Sequence, residues 1–194
     1  MEQNITFAII TCSDTRGMKE DTAGAALETL IAENGWECKS HVVVPDERPF
    51  IASAIVRACD EQDVDVVLTC GGSGLSLRDV TPEATMDACD RNVPGIAEAM
   101  RAHSLAITPY AMLSRALCMQ RGRHLVINLP GSEKAARENS GRRGESPAAR
   151  REDDGRRRAL GTASPRCLTY ATELSYRKGF FVRRGVGFCL RGQR

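Results

Sequence analysis

The chain has 194 residues, long enough for one domain with a buried sheet and short for two. No run approaches about 18 consecutive apolar residues, so no membrane span is expected; Met1-Glu2-Gln3-Asn4 lacks the basic segment and cleavage site of a secretion signal, so a cytoplasmic location is expected. The net charge of +2 hides an asymmetry, with 13 Lys/Arg against 20 Asp/Glu in residues 1–140 and 14 against 5 in residues 141–194, so nucleic-acid binding would rest on the tail alone and is not expected.

Ile5 to Cys12 is a short apolar run closed by Ser13-Asp14, which suits a buried strand. Asp21 or Thr22 can cap a helix whose stripe, Ala23, Ala26, Leu27, Leu30 and Ile31, has the spacing of one helical face, with Gly35 as its stop. Trp36 to Val44 reads as a second strand. Ile51, Ala54, Ile55, Ala58 and Cys59 repeat the helical spacing, with Pro49 near the first turn. Val64 to Cys70 is a third strand, running into Gly71-Gly72-Ser73-Gly74. Thr81-Pro82-Glu83 has the capping hydroxyl, early proline and first-turn acid of a helix start. A further helix is expected after Pro94-Gly95. Arg115–Gln120 and Arg123–Leu129 can form a hairpin through Arg121-Gly122, and Pro130-Gly131-Ser132 can lead into a last helix at Glu133.

Strands alternating with helices at this spacing imply βαβ units: an α/β fold of three layers, α/β/α, around a mainly parallel sheet. In such sheets ligands sit outside the carboxyl ends of the strands. Ser13-Asp14, Asp46-Glu47, the loop from Gly71 to Asp79 and the Asn128–Ser132 turn all fall there. The eight cysteines are scattered without a C-x-x-C, and the three histidines have no ligand spacing, so packed thiols and packed or surface histidines are expected.

The glycines at 71, 72 and 74 allow backbone amides to approach an anion. They form neither the phosphate loop of the NTPases, which needs a following Gly-Lys-Ser/Thr, nor the dinucleotide fingerprint, whose third glycine would fall at Leu77. The segment from Thr69 to Thr85, T-C-G-G-S-G-L-S-L-R-D-V-T-P-E-A-T, resembles the T-G-G-T-G-x-x-x-R-D-x-T-P-E-A-T signature of the MogA/MoaB family. The resemblance extends to Val44-Pro45-Asp46-Glu47, to Thr108–Arg115 and to Ile127–Ser132, and covers about residues 4–139. Cys70 and Ser73 depart from the signature; Ser73 keeps a hydroxyl for a phosphate contact.

The resemblance implies a molybdopterin adenylyltransferase of molybdenum cofactor biosynthesis. ATP and molybdopterin would be the substrates, with Mg²⁺ or a similar divalent cation assisting. It implies that Asp46 and Asp79 are catalytic and hold the metal. Joining two anionic phosphates calls for positioning and charge neutralisation rather than a protein nucleophile, which suits paired carboxylates. The plainer uses are a helix cap for Asp79 and a turn residue for Asp46. Gly71, Gly72, Ser73 and Gly74 would bind substrate, and Arg78 would meet a phosphate or pair with Asp79. Ser114 is implied to line the site. Ser13 and Asp14 would face nucleotide or pterin, and Asn128, Pro130 and Gly131 would shape a turn against the adenylyl group, each with an architectural alternative. The resemblance also implies a homotrimer and hand-off of product to a molybdenum-inserting enzyme. The alternative is a non-catalytic molybdopterin-binding, scaffold or regulatory member of the same fold.

The family pattern stops near Asn139. Residues 141–194 hold 13 Arg, one Lys and six Leu or Val in 54 positions, too few large aliphatics for a packed element. The reading is a domain at 1–139 with its last helix truncated, then a basic, disordered tail at 140–194. The tail is either a frameshift product or a genuine extension for an acidic partner or RNA.

Overall fold

The structure is a computed structural model, and it describes residues 5–131. The helix expected from Glu133, Ser132 and the tail from 140 lie outside the described residues.

Strand β1 (Thr6–Cys12) leads through a 3-10 turn to helix α1 (Thr22–Glu33), strand β2 (Glu37–Val44) and helix α2 (Arg48–Asp60). Strand β3 (Val66–Cys70), helix α3 (Thr81–Ala88), strand β4 (Arg91–Asn92) and helix α4 (Pro94–Leu105) follow. A 3-10 segment, Pro109–Leu113, then precedes the hairpin of β5 (Cys118–Arg121) and β6 (His124–Leu129). The six-stranded sheet has the order β2-β1-β3-β6-β5-β4. β2, β1, β3 and β6 are parallel, while β5 and β4 are antiparallel additions at one edge.

Alternation along the strands divides the core into two layers. Phe7, Ile9, Val66, Leu68, Leu125 and Ile127 meet Leu27 and Ile31 of α1 and Met100 of α4. Ala8, Ile10, Val67 and Val126 meet Ile51 and Ile55 of α2 and Ala84 and Ala88 of α3. A sheet buried on both faces needs apolar residues of both parities, so its strands read as unbroken apolar runs. Trp36 stacks on Phe7, with ring centroids 5.3 Å apart.

The local signals act as the sequence suggests at most boundaries. Asp21 caps α1 by accepting from the Gly24 amide at 2.9 Å, and Gly35 takes a left-handed φ of 73° just past its end. Pro49, Pro82 and Pro94 occupy the first turns of α2, α3 and α4. One expectation is corrected. Thr81 is the first residue within α3 rather than its cap; Val80 holds the capping position, and the Thr81 hydroxyl is buried away from the helix amides. A cap hydroxyl must project back over the second and third amides, and a threonine already helical faces sideways into the site instead.

Candidate active site at the carboxyl ends of the strands

The order in which the strands are laid down reverses between β1 and β3, the position where open α/β sheets leave a crevice. The loops after β1, β2, β3 and β6 surround it. The Gly71 amide donates to the Leu129 carbonyl at 3.0 Å, linking the ends of β3 and β6. Gly131 lies so close to Gly71 that a Cβ on it would be 2.8 Å from the Gly71 Cα. The Arg16 guanidinium donates to the Gly131 carbonyl at 3.1 Å, bringing the loop after β1 to the same place.

Two aspartates stitch the loops after β1 and β2 reciprocally. The Asp46 amide donates to the Asp14 carboxylate at 3.0 Å, and the Asp14 amide donates to that of Asp46 at 3.2 Å. Arg78, from the glycine-rich loop, donates to Asp14 through Nε at 3.0 Å and Nη2 at 2.6 Å. Its partner is therefore Asp14 and not Asp79. Hydrogen bonding from Arg78 holds the Asp14 carboxyl below its usual range. Asp46 is pushed the other way. Burial raises its carboxyl above the usual value, and the charges of Asp14 and then Asp79 add to the effect.

Asp79 caps its own turn, with Oδ2 accepting from the Ser76 amide at 3.0 Å while its amide donates to the Ser76 carbonyl. Arg115 holds the whole loop. Its backbone amide donates to the Ser73 carbonyl, Nε donates to the Gly74 carbonyl at 2.7 Å, and its remaining donors reach the Asp79 carbonyl and the Glu83 carboxylate. Arg115 stands in the quoted Thr108–Arg115 motif but is absent from the residues singled out by sequence. So is Arg16. The signal available was a lone arginine beside a serine or a glycine, with its partners 36 and 115 residues away in the chain.

The other candidates divide by what they touch. The Ser13 hydroxyl accepts from the Thr15 and Arg16 amides, shaping the loop after β1. The Ser114 hydroxyl accepts from the Ala116 amide at 3.3 Å. The Pro130 carbonyl accepts from the buried Cys70 thiol. Asn128 is fully buried, and its amide serves the interior: Nδ2 donates to Thr69 and Thr85, and Oδ1 accepts from the Leu117 amide. Among the site residues it has the clearest architectural use.

Buried polar atoms normally find a partner, and those that do not are informative. Asp46 Oδ1 and Thr81 Oγ1 are both buried, and neither accepts a hydrogen bond. Both face Gly72, where an added Cβ would lie 2.4 Å from Thr81 Oγ1 and 3.1 Å from Asp46 Oδ1. Gly72 has φ of 60°, so a side chain there would be strained as well as obstructed. Among the described residues no three acidic, histidine or cysteine side chains gather as a self-sufficient metal site. A hard divalent cation held by one or two carboxylates, neutral oxygens and a polyphosphate matches this donor set.

The family described as "Probable molybdopterin binding domain" matches residues 8–141. The molybdopterin adenylyltransferase of Helicobacter pylori strain J99 is 40% identical over 141 residues, which is 70% of this chain and 80% of that protein. The molybdopterin adenylyltransferase of Escherichia coli K12 is 36% identical over 139 residues, covering 69% and 71% respectively. The solved structure of the molybdopterin biosynthesis enzyme MoaB from Thermus thermophilus superposes with a TM-score of 0.64 at 45% identity, over 69% of this chain and 86% of that one. Fold, motif order and these matches agree: the chain belongs to the MogA/MoaB family of molybdopterin-binding domains.

Proposed function

We propose that the protein is a molybdopterin adenylyltransferase acting in the cytoplasm as a homotrimer and passing its product to a molybdenum-inserting enzyme. The observation that carries the reading is the meeting of the Asp46 and Asp79 loops with the Gly71–Gly74 bend and the Gly131 turn around one crevice. No helix among the described residues is long and apolar enough to cross a membrane. Exposed Leu75, Leu77, Tyr110, Met112 and Leu113 offer apolar surface for subunits to cover.

In the reaction a terminal phosphate oxygen of molybdopterin attacks the α-phosphorus of ATP. The bond from that phosphorus to the oxygen bridging to the β-phosphate breaks, and pyrophosphate leaves with the electron pair. The attacking phosphate is already ionised at neutral pH, so no side chain needs to remove a proton. The protein's task is to align two anions and offset their repulsion. The absence of a side chain at Gly72 lets Asp46 and Thr81 approach the glycine-rich bend, where a cation can sit between bend and carboxylate. Arg115 keeps Asp79 and the bend in register. Arg16 and Arg78 place positive charge at the mouth, where a polyphosphate can exchange with their present partners. A divalent cation such as Mg²⁺, held by Asp46 and Asp79, would offset charge on the transferring group.

The test is to incubate the full chain with molybdopterin, ATP and Mg²⁺ while following pyrophosphate and the mass of the pterin product. Pyrophosphate release dependent on both substrates, with adenylylated pterin as the product, is expected. Pterin binding with no pyrophosphate would replace the enzyme reading with a binding module.

A further inference from the structure

We infer that the Thr81 hydroxyl is a direct, neutral oxygen ligand in the cation seat built on Asp46, with Gly72 keeping the seat open. The inference deepens the adenylyl-transfer reading and rests on it for the need of a cation.

Three observations converge. Thr81 is completely buried, yet its hydroxyl oxygen accepts no hydrogen bond. Asp46 Oδ1 is in the same condition. The two oxygens lie 2.4 Å and 3.1 Å from one point, the position of a Cβ on Gly72, and therefore within the sum of those distances of each other. Oxygen ligands of Mg²⁺ stand about 2.1 Å from the metal, so two that share one ion are at most about 4.2 Å apart, a spacing that the two distances from Gly72 allow. A buried hydroxyl and a buried carboxylate oxygen left unmatched each cost about 1–3 kcal/mol, and one bound cation satisfies both.

Electrostatics permit it. The start of α3 contributes about half a positive charge, which opposes a cation. Asp46 and Asp79 outweigh that, while Arg78 neutralises Asp14 at the rim. A neutral hydroxyl suits the third position, because Asp46, Asp79 and Asp14 already gather three carboxylates around the seat. Cys12 is the plainer neighbour for Thr81. The Thr81 hydroxyl is placed to donate a hydrogen bond to the Cys12 sulfur, whose own proton goes to the Ile10 carbonyl, so the lone pairs of the Thr81 oxygen stay open to a cation.

The experiment uses the full chain and Mn²⁺ as the probe, without nucleotide or pterin, with binding read from the loss of the free Mn²⁺ electron paramagnetic resonance signal. The wild type is expected to bind, Asp46→Asn to lose binding, and Thr81→Val to weaken it by about tenfold or more. Thr81→Ser, which keeps the hydroxyl, should stay within about threefold of wild type. Metal-free Tm of Thr81→Val should equal or exceed that of wild type, because an unmatched hydroxyl has become a methyl of the same shape. Equal Mn²⁺ affinity for Thr81→Val and wild type overturns the inference, as does an equal loss in the serine and valine variants. A wild type that binds no Mn²⁺ without nucleotide also overturns it. Pyrophosphate release is read separately: a chain that binds Mn²⁺ through Thr81 but releases none keeps the seat and loses the adenylyl-transfer reading.

Discussion

Asp46 is held in the fold at a cost. Its folded carboxyl value lies above the unfolded one because it is buried and faces Asp14 and Asp79. An acid shifted upward favours the protonated native state, so the ionised form detracts from stability above the folded value. That penalty fades as pH falls through it. Asp46→Asn is therefore expected to raise Tm by about 3 °C, the shift that about 1 kcal/mol gives in a domain of this size. The same variant should lower adenylyl transfer by at least about 100-fold. Thermal melts and pyrophosphate assays on one preparation test both. A variant both less stable and inactive would make Asp46 a structural residue. Arg115 gives the contrasting case. Arg115→Lys keeps the charge but loses the fork that reaches Gly74, Asp79 and Glu83. It should cost about 2 kcal/mol and speed hydrogen exchange at Ser76 and Asp79. Unchanged exchange there would separate Arg115 from the loop.

Helix α1 is fastened by a buried group of side chains drawn from three elements. Asp21 accepts from Thr11 of β1 at 2.5 Å and meets His41 of β2 at 2.7 Å, while the other ring nitrogen of His41 lies 3.3 Å from Glu28. Burial alone would raise the Asp21 carboxyl; Thr11, the Gly24 amide and His41 outweigh it and hold the value below the ordinary 3.8. A lowered acid stabilises the fold above its unfolded value and loses that contribution as pH falls through the folded one. Tm measured from about pH 6 to about pH 2.5 should thus fall more steeply in wild type than in Asp21→Asn, which starts lower. Parallel curves would remove Asp21 from acid unfolding.

This cluster also marks where reading the sequence stops. The periodic stripes of α1 and α2 and the runs of β1, β3 and β6 were legible because burial of one helical face or both sheet faces writes itself into local spacing. Asp21 was legible as a cap, since a cap acts within three residues. Its pairing with His41 was not, because a histidine at a strand edge has no local mark of its partner. The two-residue β4 was missed for the same reason: Arg91 and Asn92 form a strand only through β5. At the site, the glycines and the acidic loops stood out by residue type and motif order. Arg115 and the orphaned hydroxyl of Thr81 depend on packing across loops, and a threonine before proline reads first as a cap.

At the scale of the molecule, Leu77 is 100% exposed and Leu75 62% exposed, both on the glycine-rich loop, with Met112 66% exposed in the segment before β5. Sedimentation of the full chain is expected to give three times 21.1 kDa, and Leu77→Glu with Met112→Glu to shift it toward monomer. A monomeric wild type would leave that apolar surface for another partner. The family match covers residues 8–141, and we propose a domain at 1–139 followed by a separate basic segment. A single-nucleotide shift in the gene after the codon for Asn139 should restore an amphipathic helix; if no shift does, the segment is a genuine extension.

Strand β6 is central in the sheet, between β3 and β5, yet it is the last described strand along the chain. Pairing β3 with β6 joins residues about 60 positions apart, as in Val66 with Leu125, and the Gly71–Leu129 link closes the crevice only then. During synthesis the early strands and helices would emerge with an open sheet edge, and nucleotide could find no finished cradle until Leu129 had cleared the ribosome. A nascent chain arrested before that point should accordingly be blind to ATP and a client for chaperones.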